Sequence, residues 1–150
     1  MALLLKYDEF KIYVAETLEY TQVLQEDLKW IYAFLHKGKT EKNYEKISKK
    51  KILKVVDNVE ALDFAHENHQ LNLEDYTILR QIQNLRDYIS EKMFATFILN
   101  QDFSKSLEYN HACEKIVNYH SEIKDLIPKV RKFREYVTKI IGDIDKKAQN

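Results

Sequence analysis

The sequence predicts an all-α protein, an up-and-down antiparallel bundle of four to five helices, and three observations carry that prediction. Apolar residues recur at alternating spacings of three and four over long stretches, the period of a helix that turns one face to a partner. Only two glycines and one proline occur in 150 residues, too few for the closely spaced turns of a sandwich or barrel. No short Val/Ile-rich runs separate the helical stretches, so a parallel α/β sheet has nothing to be built from. The length fits one domain, residues 1–150, long enough to bury a core.

The first helix is the clearest. Phe10, Val14, Thr17, Thr21, Leu24, Leu28, Ile31 and Leu35 keep an unbroken four-three spacing, a seam facing a partner. Asp8 is its expected cap, and Lys37-Gly38-Lys39 stops it after His36. Thr17 and Thr21 either let a neighbour approach closely or mark a wet spot. A polar connection follows, with a turn of helix around Tyr44 and Ile47. Ser48 is read as the cap of a short second helix with Ile52, Val55, Val56, Val59 and Leu62 on its apolar face, and 63–70 as a loop.

Asn72 is expected to cap the third helix, whose first turn holds Glu74 and Asp75, where the helix dipole favours acids. Its stripe is Ile78, Ile82, Leu85, Ile89, Met93 and Thr96/Phe97, and it should end near Asn100. Ser104 is read as the cap of the fourth. From Tyr119 the stripe continues through Ile123, Leu126, Val130, Phe133, Val137, Ile140 and Ile144. Pro128 lies off that stripe and removes one backbone bond, so the last helix is expected to be kinked or broken there. The polar tail after Ile144 should fray.

Charge is balanced, with 24 basic and 24 acidic residues, so no global pull on nucleic acid or membrane exists. The distribution is uneven. Eight lysines fall between Lys37 and Lys54 against Glu41 and Glu45, and the stretch that follows is acidic. Lys46, Lys49, Lys50, Lys51 and Lys54 could touch a phosphate backbone, since sequence-blind attraction needs only positive charge; the alternative is a solvated helix face. The single cysteine, Cys113, cannot pair within the chain and reads as a half-buried thiol in a reducing compartment. The apolar start at Met1 to Leu5 is too short for a signal-peptide core, and no run reaches membrane-spanning length. A cytoplasmic location without membrane attachment follows as the expectation. Seven phenylalanines and ten tyrosines exceed what one small core needs, and an exposed remainder would suit a homodimer interface.

The string Ile82-Gln83-Asn84-Leu85-Arg86-Asp87-Tyr88-Ile89-Ser90-Glu91 resembles the signature region of HEPN domains (higher eukaryotes and prokaryotes nucleotide-binding), which are small helical bundles. Leu85, Arg86 and Asp87 match the apolar residue, arginine and small polar residue of that motif. The family's histidine, separated from the arginine by four to six residues, is replaced: the shortest spacing lands on Glu91, and no histidine follows until His111. The resemblance implies metal-independent RNA cleavage, or RNA or nucleotide contact, in defence or toxin–antitoxin systems, with the motif facing its copy across a dimer. A carboxylate at Glu91 would repel a phosphodiester, so the resemblance implies a catalytically silent binding or regulatory module. On a straight helix, residues 86 and 91 point about 140° apart. The plain alternative places Arg86 in a salt bridge at the core edge, with Asp87 and Glu91 as surface acids.

Two other classes stay open: a helical interaction or assembly protein without nucleic acid, and a metal-independent ribonuclease using His111 or His120. No metal or cofactor is expected. Glu108 and His111 have the helical spacing of di-iron bundles, but such sites need a second pair and two further carboxylates. Asp63 with His66, and His66 with His69, fall in a loop with too few ligands.

Overall fold

A computed structural model describes the backbone of residues 5–149 and the side chains of residues 5–140. Helix α1 spans Tyr7–Leu35, α2 Thr40–Ser48, α3 Ile52–Phe64, α4 Leu73–Arg80, α5 Ile82–Asp87 and α6 Leu107–Gln149. Between α5 and α6 lie a π-helical turn, Tyr88–Met93, and two 3₁₀ turns, Phe94–Thr96 and Phe103–Lys105.

Cross-helix contacts fix the direction of each pass. Asn43 Nδ2 donates to the Ala33 carbonyl at 3.1 Å and the Tyr44 hydroxyl donates to Glu26 at 2.6 Å, so α2 runs back along α1. Asp57 and Glu60 reach Arg80, and Asp63 meets Tyr76, so α3 and α4 are antiparallel. Asp75 pairs with Lys129, and Phe97 packs 5.2 Å from Tyr109, so residues 73–97 descend against the rising α6. The bundle therefore makes five passes, up and down in turn. With an odd number of passes, the first and last rods run parallel. Tyr7 meets Phe103 and Tyr109, Glu16 meets His120, and Asp27 meets Arg134 in steady register.

The seam of α1 is buried throughout, apart from partly covered Leu35. Thr17 and Thr21 are fully buried, and their hydroxyls donate to the Tyr13 and Leu18 carbonyls of their own helix at 2.6 and 2.7 Å. That satisfies them without water. At the lower end Phe10 is ringed by Phe94, Phe97 and Tyr109 in edge-to-face contacts.

Several local expectations are corrected. Lys6, not Asp8, occupies the N-cap of α1; Asp8 lies in the first turn, 3.4 Å from Lys11. The turn around Tyr44 is a full nine-residue helix that ends at Ser48, and Lys51 precedes α3 in place of Ser48. The corner between α1 and α2 is held by Gly38 at φ +109°, a conformation costly for any side chain, and by Asn43, which also donates to the His36 carbonyl. Asn72 does cap α4, in a reciprocal capping box with Asp75. The third predicted helix is not continuous to Asn100 but breaks at Gln81 and loosens into the π turn. Ser106 rather than Ser104 caps α6, accepting from the Tyr109 amide at 3.1 Å. Across Pro128 the chain remains one helix; Pro128 and Lys124 are exposed, so water can satisfy the carbonyl that loses its partner. Cys113 is fully buried, not half-buried. Met1 to Leu4 and the side chain of Ile144 lie outside the described residues, while the backbone of the tail expected to fray continues as α6 to Gln149.

Burial pushes the phenols of Tyr76, Tyr88 and Tyr109 above the ordinary 10.0. Raised values in the folded state mean stability that is complete below pH 10 and lost as pH rises through the folded values. Alkaline titration should therefore show part of the phenolate absorbance appearing only together with loss of helical circular dichroism. Ten tyrosines ionising near pH 10 with the helix signal intact would contradict this packing.

Candidate functional site

Arg86, Asp87 and Glu91 do not converge within one chain. Arg86 is half-buried, and its Nη1 donates to the Gln25 side-chain carbonyl on α1 at 2.6 Å. The expected salt bridge is replaced by this neutral amide. Asp87 is exposed and accepts from Gln83, and Glu91 is exposed on the π turn. Of the histidines proposed as acid–base groups, His120 is buried and its Nε2 is 2.8 Å from Glu16, between the rings of Tyr13 and Tyr20. The His120 hydrogen bond holds the Glu16 carboxyl below its usual range. His111 is exposed. Among the described residues, no cluster of three His, Cys, Asp or Glu side chains could hold a metal.

The charge asymmetry takes a definite form. Four of the six acids of the 57–75 stretch are engaged by other groups of the bundle, two of them buried. Asp57 and Glu60 clamp Arg80 at 3.0 and 2.7 Å. Asp63 is buried and accepts from the Gln70 and Leu71 amides and the Tyr76 hydroxyl. Asp75 accepts from the Asn72 amide and pairs with Lys129. In contrast, Lys46, Lys49, Lys50, Lys51 and Lys54 are all exposed and make no ion pair among the described residues. They gather where α2 ends and α3 begins. The first turn of α3 holds no acid, so the positive end of its dipole adds to the lysine charge. A neutral chain thus presents an electropositive corner.

A second polar feature was not anticipated from the sequence. Asp27, 1% exposed, lies in the α1 seam; Arg134 Nη1 donates to its Oδ1 at 2.7 Å, and Arg131 Nε stands 3.0 Å from Oδ2. The Arg131 contact is off the hydrogen-bond line, so Oδ2 receives charge without a directed bond. The two arginines line a cleft of about 590 Å³ between the upper parts of α1 and α6, walled by Trp30 and Phe34 and extended by Glu135, Thr138 and Lys139. Trp30 is held by Glu26, which accepts from its indole at 3.1 Å, and by stacking on Tyr44 at 4.1 Å. The signal was present: Asp27 falls three residues after Leu24 and four before Ile31, inside an otherwise apolar seam, and needed a cationic partner.

No helix among the described residues is long and apolar enough to cross a membrane. The fold defines the class as an all-α helical bundle. Compared with protein-family models, curated proteins and solved structures, the chain finds no match.

Proposed function

We propose that this chain is a non-catalytic, HEPN-like binding or regulatory module that contacts RNA through the lysine corner, in a defence or toxin–antitoxin-type setting. The observation that carries this reading is the corner itself: five exposed lysines without acidic partners at the positive end of α3. Lysine suffices for phosphate attraction without base readout, so the contact is sequence-tolerant and strongly salt-dependent. Support for a non-catalytic role comes from Glu91 at the motif's histidine position and from Arg86 engaged by Gln25.

The Lys49→Glu, Lys50→Glu, Lys51→Glu variant is the direct test. Wild type should be retained on heparin and released by moderate salt, and the variant should flow through. Equal retention of both would remove the nucleic-acid reading.

A second reading, a helical protein–protein interaction or assembly subunit, is favoured by exposed Leu73, Leu99 and Leu107, at 68%, 94% and 64%. Homodimerisation belongs to both readings. Light scattering that gives a monomer mass at all concentrations would remove the dimer from either.

A further inference from the structure

The cleft above Asp27 is built for more than joining two helices. A single carboxylate needs one cation, yet Asp27 has two guanidiniums, and Lys139 brings a third positive charge to the same cleft. Among the described residues that line the cleft, these three cations face a single acid, Glu135, with Asp27 beneath the guanidiniums. Arg134 commits one nitrogen to Oδ1, and Arg131 gives Oδ2 only an off-line contact. Most N–H donors of the pair are therefore left for another acceptor.

The site is also pre-organised. Asp27 anchors both guanidiniums from below, and Glu26 with Tyr44 fixes the indole, so little side-chain ordering remains to be paid on binding. Arg131, Arg134, Glu135 and Thr138 share one face of α6, at spacings of three, four and seven. Phe34 and Trp30 form the apolar wall opposite. The volume falls in the range of small-molecule sites.

We propose that this cleft binds a small phosphate monoester, its phosphate taken by Arg131 and Lys139 and its planar organic part lying along Phe34 and the edge of Trp30. A dianionic phosphate suits forked donors beside a lysine better than a singly charged carboxylate does. The open edge matters, because Tyr44 covers one face of the indole and the Arg134 guanidinium lies 5.9 Å over the ring. The inference stands apart from the lysine corner and does not depend on RNA binding there. A monoester of this kind occurs both on free small molecules and at a phosphorylated RNA end.

Trp30 is the only tryptophan of the chain, so its emission reports on the cleft directly. Titration with phenyl phosphate should shift that emission saturably, about tenfold tighter than inorganic phosphate does. Arg131→Gln and, separately, Lys139→Gln should each weaken phenyl phosphate about tenfold with the circular dichroism unchanged. Lys139 is exposed, and its replacement by glutamine removes the charge without touching the core. The Lys49→Glu, Lys50→Glu, Lys51→Glu variant should bind phenyl phosphate as wild type does. Two competitors separate the sources: displacement by adenosine monophosphate assigns a free ligand, and displacement only by a 5′-phosphorylated oligoadenylate assigns an RNA end. Absence of a saturable shift, or equal affinity in the wild type and the Lys139→Gln variant, overturns the proposal.

Discussion

Replacing Arg131 and Arg134 together by alanine is expected to destabilise the fold by about 3–5 kcal/mol, because it leaves the Asp27 carboxylate buried without a counter-charge. Asp27 is 1% exposed, so water cannot substitute for the guanidiniums, whereas Arg131 and Arg134 are partly exposed at 48% and 29%. The reverse change, Asp27→Asn, should cost less, since the freed guanidiniums regain hydration. Converting all three positions to apolar residues (Asp27→Leu, Arg131→Met, Arg134→Met) should return stability close to that of wild type. Denaturant unfolding of the three variants tests the ordering. A double-alanine variant within about 1 kcal/mol of wild type would mean that Asp27 is not held as described.

Asp63→Ala is the second large effect, about 4 kcal/mol. One carboxylate at the end of α3 receives the Gln70 amide at 2.7 Å, the Leu71 amide at 3.0 Å and the Tyr76 hydroxyl at 2.6 Å. Leu71 and Tyr76 are buried, so two of those donors lose their partner where solvent cannot replace it. Gln70 is exposed and recovers a bond to water. Tyr76→Phe, which removes one donor and leaves two, should cost only about 1 kcal/mol. Hydrogen exchange at the Leu71 amide should accelerate strongly in Asp63→Ala and little in Tyr76→Phe. Similar exchange in both variants would show that the loop 65–72 is not tied down by Asp63.

The all-α bundle, the seam of α1 and the Asn72 cap were readable because each rests on local periodicity or a local side-chain bond, whereas the second pass, α2, was legible only as a turn of helix in a polar connection. The break within residues 73–97 was not read, although a trace of it exists. Leu85, Ile89, Met93 and Phe97 are each four apart, and on a regular helix every such step drifts about 40°. Three steps would carry Phe97 away from the core. The π turn at Tyr88–Met93 takes up the drift and keeps Ile89, Met93 and Phe97 buried. The choice of Ser106 over Ser104 was not local: Phe103 packs 5.0 Å from Tyr7 and 5.6 Å from Tyr109, which draws residues 103–105 into a 3₁₀ turn ahead of α6. Likewise, the pairing of Asp27 with Arg131 and Arg134 needs the parallel register of the first and last helices, which no single stretch encodes. The lysine corner was legible as composition; its lack of acidic partners depends on Asp57 and Glu60 turning to Arg80.

The salt dependence of single-stranded RNA affinity addresses the central claim most directly. If Lys49, Lys50 and Lys51 each displace a counterion from the RNA, Lys49→Gln, Lys50→Gln, Lys51→Gln should lower the slope of log affinity against log salt by about 2. Parallel lines for wild type and variant, or no measurable RNA affinity at low salt, would contradict the account.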